Sequence, residues 1–158
     1  MKRARPPKPD PAEQAFIERF GLAFQSEHLP RIAGRIFALL LIEGGPIGFE
    51  AIAGRLRISR ASVSTNARLL EALGILERTA LPGDRRDYFR ISDSPGRRML
   101  ETATARMRRT GEIVADMRRY LATRRPEATA RLARMGRFYE VTIRNVQSAL
   151  AELDASRE

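Results

Sequence analysis

The chain has 158 residues and carries 29 Lys and Arg against 19 Asp and Glu, a formal net charge of +10. The length predicts one domain with a proper hydrophobic core, and the charge favours nucleic acid or an acidic membrane surface as partner, although Arg-rich composition is also typical of GC-rich genomes. The absence of cysteine excludes disulfides, thiolate metal sites and cysteine-based redox sensing.

The N-terminal segment is basic and rich in proline, which predicts an extended arm over residues 1–10. Asp10 is placed to cap the first helix, with Pro11 at its first position and Glu13 completing a capping box. No run of about 18 apolar residues occurs in the chain, so we expect a soluble, cytoplasmic protein without a membrane partner.

Three further helices are predicted before the first strand. The helix over residues 30–43 is apolar on most sides, which indicates a central position. A short helix follows over residues 49–56 and another over residues 60–73. Ser59 is the expected N-cap of the latter, and Gly74 the residue just past its end.

Two short strands come next, at residues 76–80 and 88–92. The segment between them, residues 81–87, contains Pro, Gly and Asp and is typical of a hairpin loop. Together these segments predict a β-ribbon with a basic tip.

Two long helices complete the chain, beginning at Pro95 and Pro126. Their apolar residues recur at alternating spacings of three and four, which predicts a seam for another helix. This is more apolar surface than a small domain can cover, so we expect a homodimer. The expected organisation is a first region over residues 11–94, from the N-terminal helix to the β-ribbon, and a dimerisation region over residues 95–158.

The stretch over residues 49–79 has the pattern of a helix-turn-helix. Ala53 supplies the small residue where the helices cross, and Ile58 and Val63 supply the apolar contacts that lock the turn. Arg can bond a guanine bidentately, small side chains let a helix sit deep in the major groove, and a helix N-terminus favours a phosphate. The candidate DNA-binding residues here are Ser59, Arg60, Ser62, Ser64, Thr65 and Arg68; a solvated helix face is the alternative.

The hairpin tip carries a second signal in Asp84, Arg85 and Arg86. An Arg at such a tip can enter the minor groove, where the negative potential is strongest. We expect Asp84 to hold and orient one Arg without contacting DNA itself. A plain charged turn is the alternative.

The sequence resembles MarR-family regulators in the segment ISRASVSTNARLLEALGILERT followed by PGDRRDYFRIS. The segment before it, LPRIAGRIFALLLIEGGPIGFEAIA, is similar to the GbsR-type branch. The resemblance implies a homodimer joined by its terminal helices. It also implies that five residues of the fourth helix face the DNA groove: Arg60, Ser62, Ser64, Thr65 and Arg68. Asp84 and Arg86 match the Asp-x-Arg of the family's wing tip. Leu81 and Gly83 stand where many members have an earlier Asp-x-Arg, which leaves open whether Arg85 or Arg86 enters the minor groove.

We therefore predict a mainly α fold, a winged helix-turn-helix with a two-stranded β-wing and long N- and C-terminal dimerisation helices. The predicted function is a sequence-specific transcriptional regulator, a repressor responsive to a small-molecule effector, that binds a near-palindromic site on double-stranded DNA as a homodimer. The alternative is a winged-helix module for protein or RNA contacts. Without a phosphate loop or an acid–base arrangement, we predict no enzymatic activity, cofactor or metal site.

Overall fold

The computed structural model describes residues 10–155. The arm predicted over residues 1–10 lies outside this range except for Asp10. The described residues fall into two compact units, one ending at Pro95 and the other beginning at Gly96.

Helices dominate the described part of the chain, as predicted, and a small antiparallel sheet accompanies them. The elements in order are α1 Pro11–Ser26, α2 Arg31–Glu43, β1 Ile47–Gly48, α3 Phe49–Leu56, α4 Arg60–Ala72, β2 Leu76–Thr79, β3 Tyr88–Ile91, α5 Pro95–Leu121 and α6 Pro126–Ala155.

Local capping signals fix several helix ends. The predicted capping box at α1 is present, since Asp10 accepts a bond from the backbone of the first turn while the Glu13 side chain accepts one from the Asp10 backbone N–H. Gly74 follows α4 with φ +76°, in the left-handed region that glycine tolerates. Its N–H donates to the Glu71 carbonyl, which closes the last turn of the helix.

The core of the first unit is built around α2, which confirms the central position predicted for it. Ile36, Leu39 and Leu40 of this helix are buried. The buried apolar residues of α3, α4 and the sheet belong to the same cluster, with Phe89 of β3 the largest fully buried side chain. This shared core fixes the helix-turn-helix to the sheet.

The sheet has three strands in the order β1-β3-β2, so a short strand that the sequence did not predict adds to the predicted two-stranded wing. The missing strand, β1, pairs with β3 through Ile47 opposite Phe89 and Gly48 opposite Tyr88. Two residues are too few to show the alternation by which a strand is recognised, and the partner strand lies far along the chain. The predicted hairpin of β2 and β3 is present.

The second unit consists of α5 and α6, which begin at Pro95 and Pro126 as predicted. Arg97 near the start of α5 forms an ion pair with Asp154 near the end of α6. Thr104 is the one residue of α5 and α6 that is buried in the described structure. Within the described residues, no helix is both long and apolar enough to cross a membrane.

Candidate nucleic-acid interface

The helix-turn-helix is formed by α3, a short turn and α4. Arg57 directly follows α3 with φ +53°, in the left-handed region, and the N–H of Ile58 donates to the Ala53 carbonyl. Ile58 packs against the core and Val63 is fully buried, which confirms the predicted apolar lock. The turn therefore sets α4 at a fixed angle to α3.

The N-terminus of α4 is capped by Ser59, as predicted. Its Oγ accepts a hydrogen bond from the Ser62 backbone N–H at 3.1 Å, and the two hydroxyls lie 2.9 Å apart. Ser62 is half-buried, whereas Ser59 is exposed. The two serines thus shape the start of the helix in addition to standing at its surface.

The remaining predicted residues lie on the polar face of α4, where they are exposed or half-buried. Arg60, Thr65 and Arg68 are exposed, and Ser64 is half-buried. The Arg68 guanidinium donates to the Ser64 hydroxyl at 2.8 Å, one turn away. The opposite face is buried through Val63, Ala67 and Leu70. The helix therefore has one face in the core and one basic, hydroxyl-bearing face outside it.

Arg60 has partners on α3 that the sequence did not reveal. Its Nη1 lies 2.7 Å from Oε1 of Glu50, and its guanidinium lies 5.6 Å from the centre of the Phe49 ring. Glu50 is the one acidic residue between positions 49 and 70. A single acidic residue among several arginines was the one sequence signal that could have indicated this ion pair.

The wing tip is organised by a three-residue network. Asp84 accepts hydrogen bonds from Arg86 Nε at 2.8 and 3.0 Å and from the Tyr88 hydroxyl at 2.8 Å. The Arg86 guanidinium also donates to the Tyr88 oxygen at 2.9 Å. The expectation that Asp84 holds one Arg is confirmed, and the Arg is Arg86. Tyr88 was not predicted, because its part depends on the folded hairpin.

These hydrogen bonds shift the ionisation of the pair. The Arg86 guanidinium, followed by the Tyr88 hydroxyl, holds the pKa of the Asp84 carboxyl well below its usual range. The Asp84 carboxylate in turn raises the pKa of Arg86. Both groups are therefore charged at neutral pH.

The Tyr88 ring lies against β1. A Cβ atom added to Gly48 would stand 3.3 Å from Cε1 of Tyr88, closer than most side chains tolerate. Gly48 also directly precedes α3. The wing network is thus packed against the chain where the helix-turn-helix begins.

Arg85 differs from its neighbour. It is exposed, and within the described residues no ion pair or hydrogen bond engages its side chain. It lines an open cleft of about 440 Å³ between the wing and the first turn of α3, together with Arg60 and Arg86. The fold therefore brings Arg60 of the helix-turn-helix and the two wing arginines to one cleft, with the Arg85 side chain unengaged.

Comparison with known proteins agrees with this architecture. A sequence profile of the MarR family matches residues 29–87. A solved structure described as that of a transcriptional regulator superposes with a TM-score of 0.85 at 30% identity, covering 92% of this chain and 99% of that one. The chain belongs to the MarR family.

A second relative of this MarR-family chain is the HTH-type transcriptional regulator MmpR5 of Mycobacterium tuberculosis. It is 41% identical over 83 residues, which are 52% of this chain and 50% of that protein. The match thus spans about half the length of MmpR5. The profile match contains the whole helix-turn-helix and ends at Asp87, directly before β3.

Proposed function

We propose that this MarR-family chain is a transcriptional regulator that binds specific sequences of double-stranded DNA through α4 and the wing. The observation that carries the proposal is the division of α4 into a buried apolar face and an exposed face that bears arginines and hydroxyls. Arg, Ser and Thr are the side chains that bond base edges and phosphates in the major groove. Of the nine candidate residues, Arg60, Arg68 and Thr65 carry base reading in this proposal, and Ser59, Ser62 and Ser64 shape the helix start and contact phosphate.

At the wing, the proposal assigns the minor groove to Arg85 and the support of the tip to Asp84 and Arg86. Arg86 already donates to Asp84 and Tyr88, so its entry into a groove would require these bonds to break. Arg85 would have no such hydrogen bonds to break. An Arg in the narrow minor groove reads its shape and negative potential more than its base edges.

Homodimer formation is also part of the proposal, and the second unit supports it. Ile113 is 68% exposed and Phe138 55% exposed. Single exposed apolar residues are common, but a set of large ones on one pair of helices is typical of an interface in soluble proteins. The large apolar residues exposed on α5 and α6 are Met99, Ile113, Met117, Tyr120, Met135, Phe138, Val141 and Leu153.

A two-fold dimer presents two copies of α4, so its site is a near-palindrome with half-sites about one helical turn of DNA apart. Repression released by a small molecule, and membership of the GbsR-type branch, rest on the sequence resemblance and stay predictions. The rings of Phe20, Phe24 and Phe37 lie 5.3 to 6.0 Å apart, which supports packing of these aromatic residues against one another in place of an effector pocket.

The decisive experiment is selection of duplexes from a random-sequence library by the purified protein. We expect one enriched near-palindrome, with binding that weakens steeply as salt rises because phosphate contacts release counterions. An unenriched pool would contradict the proposal. Tight binding to RNA or to a protein, with no preference among duplexes, would favour the alternative winged-helix module.

A further inference from the structure

Arg60 is the one predicted base-reading arginine that is engaged by a different helix. Glu50 contacts its Nη1 at 2.7 Å, and the Phe49 ring lies 5.6 Å from its guanidinium carbon. Its side chain is nevertheless 75% exposed. The guanidinium is therefore fixed on two sides while most of its surface faces solvent.

The aromatic partner is itself anchored to the core. The Phe49 ring lies 6.3 Å from the ring of Phe89, which is fully buried in β3. Phe49 is half-buried and packs against the apolar cluster. The platform under Arg60 is thus continuous with the sheet and does not depend on an exposed loop.

The other arginines of the interface lack this arrangement. Arg68 bonds only within its own helix, to Ser64. Arg86 is held entirely at the wing tip by Asp84 and Tyr88. Arg60 alone among the three combines a carboxylate and an aromatic ring from α3 with an exposed head group.

We infer that Glu50 is a positioning residue for Arg60: it holds the guanidinium on the Phe49 ring so that its free N–H groups address one guanine of the operator. This inference rests on the proposed DNA-binding function and deepens it. A guanidinium has five N–H donors, and Glu50 contacts Nη1, which leaves donors on the other nitrogens for a base edge.

The arrangement favours base reading over phosphate binding for two reasons. An arginine fixed before binding loses less side-chain freedom when it meets its base. The Glu50 carboxylate also partly cancels the charge of Arg60 and repels phosphate, so contacts with DNA of the wrong sequence gain less. Both effects raise the ratio of specific to nonspecific affinity.

The test compares two DNA probes, the duplex that the wild-type protein selects from the random library and a shuffled duplex of the same base composition. We expect Glu50→Gln to lower the affinity ratio between them by about two- to fivefold, the range spanned by exposed ion pairs. Most of the loss should appear as relaxed preference at one operator base pair. Binding to the shuffled duplex should be equal or tighter, because a negative charge is removed.

Glu18→Gln is the matched control, because Glu18 is also ion-paired with arginines but lies on α1, away from the candidate interface. It should leave the ratio unchanged. Arg60→Ala should lower the ratio by about five- to 150-fold, and in that background Glu50→Gln should change it no further. Circular dichroism checks that each variant is folded.

Two results would overturn the inference. If Glu50→Gln tightened binding to both duplexes by the same factor, Glu50 would act only as a competitor for Arg60 or as a general repulsive charge. If the effect of Glu50→Gln on the ratio persisted without Arg60, it would not act through that residue. Failure of the wild-type protein to select any sequence would instead overturn the proposed function, and the inference with it.

Discussion

The two units of the chain differ in how completely they bury their apolar side chains. The first places Ile36, Leu39 and Phe89 at the centre of a closed core. The second has two helices of 27 and 30 residues and, within the described structure, buries only Thr104. The first unit therefore has a closed apolar core, whereas the second leaves large apolar side chains exposed, and the proposed dimer would cover them. A mutation should accordingly have different consequences in the two units.

The largest effect is expected from charges placed on the exposed face of the second unit. The double variant Ile113→Glu with Phe138→Glu should abolish the dimer, because burying unpaired carboxylates in an apolar interface is costly. Light scattering should show a monomer at micromolar concentration. Gln147→Glu is the control, since Gln147 is an exposed polar residue of α6. A double variant that remained dimeric would place the interface elsewhere.

A core truncation tests the other half of the comparison. Leu39→Ala should lower the free energy of unfolding by about 2–5 kcal/mol, because Leu39 is fully buried and its removal leaves a cavity. Leu132→Ala on α6, where the residue is half-buried, should have an effect that grows as the protein is diluted and the dimer dissociates. Urea denaturation at two protein concentrations distinguishes them. Equal, concentration-independent losses would contradict the contrast between the units.

A smaller effect is expected at the wing. Arg85→Ala should weaken binding to most duplexes, most strongly where A·T-rich DNA lies under the wing, and should reduce the slope of log affinity against log salt by about one. Arg109→Ala, the same change at an exposed position of α5, controls for the loss of charge. Equal salt slopes for the two variants would mean that Arg85 has no special place on the DNA.

The smallest effect concerns ionisation at the wing tip. Tyr88→Phe removes the hydrogen bond that, after the one from the Arg86 side chain, lowers the pKa of Asp84 most, so this pKa should rise but stay below the ordinary value of about 3.9. A carboxyl whose pKa is lowered by folding stabilises the fold above its ordinary pKa, and that contribution is lost as the pH falls through the lowered value. An NMR titration of the Asp84 carboxyl carbon measures the shift, with Tyr120→Phe as control. An unchanged pKa would remove Tyr88 from the network.

Most element boundaries were predictable because they depend on short-range chemistry. Asp10 and Ser59 cap the helices that follow them, and Pro95 and Pro126 begin the long helices, all within one turn of the residues that they affect. The strand β1 was missed for the opposite reason, since its two residues become a strand only by pairing with β3. Helix periodicity carries no information about such a partner.

The candidate interface likewise contains some features that local sequence predicted and others that depend on contacts formed in the fold. The face of α4 followed from its periodicity, but the partners of its first arginine did not, because Glu50 and Phe49 meet Arg60 across a turn between two helices. Likewise, the sequence left open which of the two adjacent arginines at the wing tip enters the minor groove. Only the folded hairpin brings the Tyr88 hydroxyl to Asp84 and so distinguishes Arg86 from Arg85.

The close approach of Tyr88 to Gly48 also constrains the design of chimeric regulators. If only residues 81–87 were transferred from one relative to another, the wing tip would move without its supporting tyrosine and without the glycine against which that tyrosine packs. If the recipient has any side chain at position 48, that side chain would press on the Tyr88 ring. The unit that would have to be transferred is therefore discontinuous in sequence. It consists of the hairpin of β2 and β3 and the two-residue strand β1, about forty positions earlier in the chain.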